Sequence, residues 1–220
     1  MTETNELLNE KNENVILKSC AYLFSVLFHP LFIPTYFFLY LLQVVPFEFT
    51  SITPWQLQLK LFSVFWLTAF FPAFAVFLLW KLKFTESIFL KTKKDRIIPY
   101  VIVMFFYWWM YYLSRNFTDQ PLALKYFYFG IFIASALGLT ANHFIKVSLH
   151  AIGVSGLLTA VVLASFYYPI NNVAWVLIGV LISGAVISAR MMVSDHTHKE
   201  LWLGFIIGLS TQLAAFFWVQ

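Results

Sequence analysis

Apolar residues along this chain fall into seven long runs, near 16–45, 58–80, 97–114, 122–141, 150–168, 173–189 and 201–219, separated by short polar links. A helix needs about 20 apolar residues to cross the hydrocarbon core of a bilayer, and lipid offers no hydrogen-bond partner to an open strand or loop. The pattern therefore predicts an all-α polytopic transmembrane bundle. In the first run His29-Pro30 and Pro34 interrupt the apolar sequence. Proline removes an amide donor and breaks helix geometry, so this run is either one kinked span or a broken, partly re-entrant one, and the count is six or seven. Pro72 lies between strongly apolar stretches and reads as a kink rather than a terminus. The polar start, residues 1–14 with four glutamates, reads as a frayed tail. The first run is too long for a signal-peptide core and lacks a convincing cleavage site.

Composition strengthens this picture. The chain is 61% hydrophobic, 20% aromatic and only 11% charged, with mean hydropathy +0.79, whereas soluble domains carry about 25% charged residues. In 220 residues the runs follow one another so closely that residues 15–220 form a single helical domain. The net charge of +4 fits anionic lipid heads. Nucleic acid is not an expected partner, since no basic run interleaved with aromatics lies on a soluble face. Cys20 is the only cysteine, which excludes an internal disulfide and a cysteine-built metal site. Asn116-Phe117-Thr118 is a glycosylation sequon of the kind that arises by chance.

Topology adds a constraint. With seven spans, the N-terminus, the basic link 81–96, segment 142–150 and segment 190–200 all lie on one side of the membrane, and that side holds eleven of the fourteen Lys and Arg. Lys60, Arg115 and Lys125 fall near the other side. The positive-inside rule then makes the richer side cytoplasmic. Whatever the orientation, three polar segments separated by pairs of spans meet at one membrane face.

Those segments carry the candidate chemistry. In 188–208 a charged patch interrupts two apolar runs, and His196 and Glu200 stand four residues apart, a spacing at which a helical carboxylate orients an imidazole and raises its basicity. Arg190 offers a bidentate fork to an anion. By the same spacing His198 points away from His196. In 146–150 Ser148 is a candidate helix N-cap aiming free amides at an anion, and His150 suits proton transfer near neutral pH. In 91–99 the cations of Lys91 to Arg96 precede a span and suit phosphate oxygens.

The order of these segments resembles the type 2 phosphatidic acid phosphatase and haloperoxidase superfamily, whose membrane members dephosphorylate lipid phosphates and pyrophosphates. Arg190, His196, Gly204 and Gly208 sit at the spacing of that family's third motif, with Glu200 where the family has Asp. Lys146-Val147-Ser148-Leu149-His150 keeps the Lys, Ser and His of the second motif and lacks its Pro and Gly. In the first motif Arg96 is not followed by Pro, Phe89 occupies the Lys position, and Lys91 or Lys94 must substitute. The resemblance covers roughly Lys91 to Gly208 and implies a lipid phosphate substrate, no metal and no cofactor. It also implies roles: His196 attacks phosphorus to give a phosphohistidine, Glu200 holds its ring, and His150 protonates the leaving group and then activates water. Arg190, Arg96, Ser148, Lys94 and Lys146 bind the phosphate oxygens and stabilise their charge in the transition state.

Plainer readings compete. Arg190, Lys199 and the 91–96 cations also serve as positive-inside anchors, Gly204 and Gly208 as a close helix-packing pair, and His29, His143 and His198 read as bland. Two other functions stand beside the phosphatase: a relative without turnover that binds or transports a lipid phosphate, and a metal-dependent hydrolase or desaturase using His196, His198 and Glu200. The second lacks any His-Glu-x2-His motif. The bacterial inner membrane is the expected location. Many membrane phosphatases of the resembling family work on the outer face. Here the charge count favours the cytoplasmic one even without Lys94, Arg96, Lys146 and Arg190, at seven against three. The identity of the lipid and the oligomeric state are left open.

Overall fold

The computed structural model describes residues 2–88, 90, 92–117, 119–194 and 196–219, and side chains from Val15 onward. Phe89 and Lys91 of the first candidate motif, and Thr118 of the sequon, lie outside the described residues. The helices are α1 (Thr2–Leu27), α2 (Ile33–Val44), α3 (Pro54–Phe65), α4 (Phe71–Lys81), α5 (Ile97–Asn116), α6 (Leu122–Phe144), α7 (Leu149–Tyr167), α8 (Val173–Val193) and α9 (His198–Val219). Among the described residues there is no strand, and seven helical stretches are long and apolar enough to cross a membrane. The chain is a multi-pass membrane bundle, and the count resolves to seven.

The prolines act where the sequence placed them. His29-Pro30 ends α1, and a 3-10 turn over Pro30–Phe32 leads into α2, so the first span, Val15–Val44, is continuous in hydropathy but broken in backbone. Pro72 has no amide to give its preceding turn, and the second span widens into a π turn at Trp66–Phe70 immediately before it. The tail expected to fray runs as the start of α1 from Thr2, because nothing between Glu3 and Val15 breaks a helix.

Hydropathy does not say which spans sit inside. The spans Leu122–Phe144 and Leu149–Tyr167 are 50% and 56% buried, while the more hydropathic Val173–Val193 is 17% buried. Small residues make the difference, since lipid supplies no hydrophobic drive between helices and close backbone approach must supply contact instead. A Cβ on Gly208 would collide with Ser155 Oγ and the Ile152 carbonyl, and one on Gly204 would lie 2.7 Å from the Ser148 carbonyl. Both glycines therefore let α9 press against the N-terminal half of α7, where the polar residues lie.

Candidate functional site

The three polar segments meet. Lys93 Nζ donates to the Phe144 carbonyl at 2.6 Å and Asn142 Nδ2 to the Lys93 carbonyl at 3.0 Å, fastening the 92–96 turn to the end of α6. Arg96, at 8% exposure, donates from Nε to the Leu90 carbonyl and from Nη1 to the Val147 carbonyl, both at 3.0 Å. Ser148 donates its amide to the Glu200 carbonyl at 3.3 Å. Its hydroxyl accepts the Ala151 amide at 3.4 Å, the predicted N-cap of α7.

His196 Nδ1 and Glu200 Oε2 are 3.0 Å apart, with side-chain exposures of 4% and 14%. The contact is the expected one but its local origin differs. His196 precedes α9 rather than lying on it. The same Oε2 accepts the Thr197 amide at 3.0 Å while the Glu200 amide donates to Thr197 Oγ1 at 3.4 Å, a capping box written in the sequence as Thr-x-x-Glu. Glu200 thus closes the helix start and holds the imidazole in one geometry. His196 Nε2 has no hydrogen-bond partner among the described residues. Burial lowers the His196 pKa from its ordinary value, Glu200 pulls it back up, and Arg96 and Arg190 push it down again. Its ring is therefore biased toward the neutral form, the one that can act as a nucleophile.

Arg190 reaches this cluster from the last turn of α8, and its buried Nε has no partner among the described residues. Its charge acts on His196, His150 and His29. Among the described residues two guanidinium groups and one carboxylate are collected here, and that carboxylate is already bonded to His196 and Thr197. Burying an unpaired donor is costly, so the buried Nε of Arg190 is left available to an acceptor.

Of the remaining candidates, His150 Nε2 lies 2.9 Å from the Ser25 carbonyl. As the carbonyl can only accept, Nε2 carries the proton. Lys94 is exposed and Lys146 half-buried, and no described contact brings either to the cluster. His143 and His198 are exposed. The His29 ring stands edge-on to His150 with centroids 5.2 Å apart, and its Nδ1 accepts the Leu31 amide at 3.4 Å. A histidine beside proline inside an apolar run was the available signal. Below the cluster an apolar chamber of about 140 Å³ opens between α2, α4, α5, α6, α7 and α9, with Arg96 and His29 in its lining.

Comparison of the chain with protein-family models, with curated proteins and with solved structures finds no match in any of the three.

Proposed function

We propose that this is an integral membrane phosphatase acting on a lipid phosphate or pyrophosphate through a phosphohistidine intermediate, a divergent member of the type 2 phosphatidic acid phosphatase superfamily. The observation that carries the proposal is His196, oriented by Glu200, beside the buried Arg96 and the half-buried Arg190, with His196 Nε2 and Arg190 Nε unpartnered among the described residues. His196 Nε2 attacks phosphorus and the bond to the leaving oxygen breaks, with His150 supplying its proton. Glu200 accepts a hydrogen bond from Nδ1–H of the imidazole and stabilises the positive charge that develops on the ring. Arg190 and the remaining donors of Arg96 hold the equatorial oxygens, a preorganised role. Water, deprotonated by His150, then cleaves the P–N bond and releases phosphate.

One observation favours a second reading, a lipid-phosphate binding or transport protein without turnover. The His150 Nε2 proton is held by the Ser25 carbonyl, so proton delivery requires that bond to open.

The deciding experiment measures phosphate release in EDTA from phosphatidic acid, phosphatidylglycerol phosphate and undecaprenyl pyrophosphate. Wild type is compared with His196→Ala and His150→Ala. Release that falls at least ~10³-fold in His196→Ala supports the phosphatase; binding of these lipids without release by the wild type supports the second reading. We place the site on the cytoplasmic face of the bacterial inner membrane. In a Cys20→Ser background, labelling of Lys93→Cys only from the outside overturns that placement.

A further inference from the structure

The chamber beneath the cluster has a depth and two unpaired polar atoms, and together these describe its occupant. Arg96 and Tyr107 both line it and stand eleven residues apart along α5, ~16 Å of helical rise. That is about half the ~30 Å hydrocarbon core, the length of one leaflet's chain. Most of the lining is apolar, including Ile33, Val76, Val103 and Ile152. Ser135 and Thr211 satisfy their hydroxyls on their own helices.

Among the described residues, the Gln212 Oε1 and the Tyr100 hydroxyl find no partner. Gln212 is 1% exposed and lies fourteen residues into α9, at the deep end. Its Nε2 donates to the Phe127 carbonyl at 3.3 Å, which fixes the orientation of the amide and leaves Oε1 without a partner. Tyr100, 3% exposed and one turn below Arg96, has an equally unpartnered hydroxyl. An unpaired carbonyl buried among apolar side chains destabilises the empty chamber, and a plain hydrocarbon occupant leaves it unpaired.

We propose that the chamber binds a single-chain amphiphile of one-leaflet length, with its anionic head at Arg96 and a hydroxyl-type donor in the far part of its chain that meets Gln212 Oε1. Tyr100 hydrogen-bonds the linkage next to the head. This names the class of lipid for the site proposed above, and rests on that reading only for the phosphate head.

The test uses His196→Ala protein in lipid nanodiscs, so that turnover plays no part, and reads binding of butyl, octyl, dodecyl and ω-hydroxydodecyl phosphate by native mass spectrometry. Affinity should rise from butyl to dodecyl. The ω-hydroxydodecyl chain should bind ~tenfold more tightly than dodecyl, the effect of one buried acceptor gaining its partner. Adding Gln212→Leu should erase that preference while keeping dodecyl binding, and adding Val103→Phe should weaken dodecyl but not butyl phosphate. Equal binding of the two long chains, a preference that survives Gln212→Leu, or dodecyl binding unchanged by Val103→Phe overturns the proposal. Chain selectivity without phosphate release by the wild type would defeat the phosphatase reading alone. Release without chain selectivity would defeat the chamber alone.

Discussion

Both ends of this bundle carry buried polar groups, but the two ends treat them differently. At the end away from the candidate site, Asn172 donates from Nδ2 to the Val161 carbonyl at 2.6 Å and to the Tyr40 hydroxyl at 3.1 Å. The Tyr168 hydroxyl accepts the Ala123 amide at 3.4 Å, and Lys60 pairs with Asp119 at 3.0 Å. Donor meets acceptor in each of these contacts, as structural polar groups in a membrane protein require. At the other end, among the described residues, Arg190 Nε and His196 Nε2 have no partner and two arginines face one carboxylate. A closed network holds helices together; an open one is held by them for something else. The open end also rests on the best-buried spans, α6, α7 and α9, which fix it from three sides.

The contrast predicts that substitutions at the open end cost function and those at the closed end cost stability. The largest effect in this series is expected at Arg190. Arg190→Gln keeps a polar side chain and removes the charge and the fork, so phosphate release should fall ~10²–10³-fold, the range for losing one preorganised donor to a developing oxyanion. The thermal midpoint should hold or rise, because a half-buried charge with a buried, unpartnered Nε has been removed. A large fall in midpoint with unchanged release would make Arg190 a structural anchor.

Glu200 tests the comparison more finely, because it belongs to both categories: cap of α9 and orienter of His196. Glu200→Gln can still serve as the third residue of a capping box, so stability should change little. The imidazole loses the carboxylate that raises its pKa, while burial and the two arginines continue to lower it. A nucleophilic imidazole must be neutral, so release rises with pH through the His196 pKa. That limb should move to lower pH in Glu200→Gln while the plateau rate falls. Movement to higher pH would show that Glu200 is not the group facing His196.

The closed end offers the converse. Asn172→Ala takes one donor from the Val161 carbonyl and one from the Tyr40 hydroxyl, leaving the carbonyl only the longer bond from Tyr40 at 3.5 Å. The expected loss is ~1–3 kcal/mol, seen as a lower midpoint in thermal unfolding, with release per folded molecule unchanged.

Much of this division was legible in the residues. Seven apolar runs predicted the spans, and counting them placed segments 91–99, 146–150 and 188–208 on one face, where Arg96, Val147, Ser148 and Glu200 do touch. The spacing predicts the His196–Glu200 pair, although its cause is the capping box between Thr197 and Glu200. Other features were hidden because they depend on partners far along the chain. His29 becomes interesting only through His150, more than a hundred residues away. Arg96 has two of its donors on backbone carbonyls, which no side-chain motif encodes. Gln212 looks like any polar residue in a span until its unpaired oxygen is seen against the chamber. Hydropathy also ranked the spans poorly, since it measures transfer into lipid and not the close approach that Gly204 and Gly208 allow.

The smallest expected effect is at Lys60, and it tests whether geometry alone makes a closed pair important. Lys60 and Asp119 meet at 3.0 Å with side-chain exposures of 18% and 37%, and the ammonium also lies 5.4 Å from the Phe117 ring centroid. The geometry is good, but the pair is partly open to water and screened by it. Exposed ion pairs contribute ~0–1 kcal/mol, and a partly exposed cation over an aromatic ring adds little more. Lys60→Gln should therefore lower stability by less than about 1 kcal/mol. That difference should shrink further in high salt, whose Debye length is only ~3 Å at 1 M. A loss as large as that of Asn172→Ala, insensitive to salt, would mean that the closed end is held by its charges rather than by its buried hydrogen bonds.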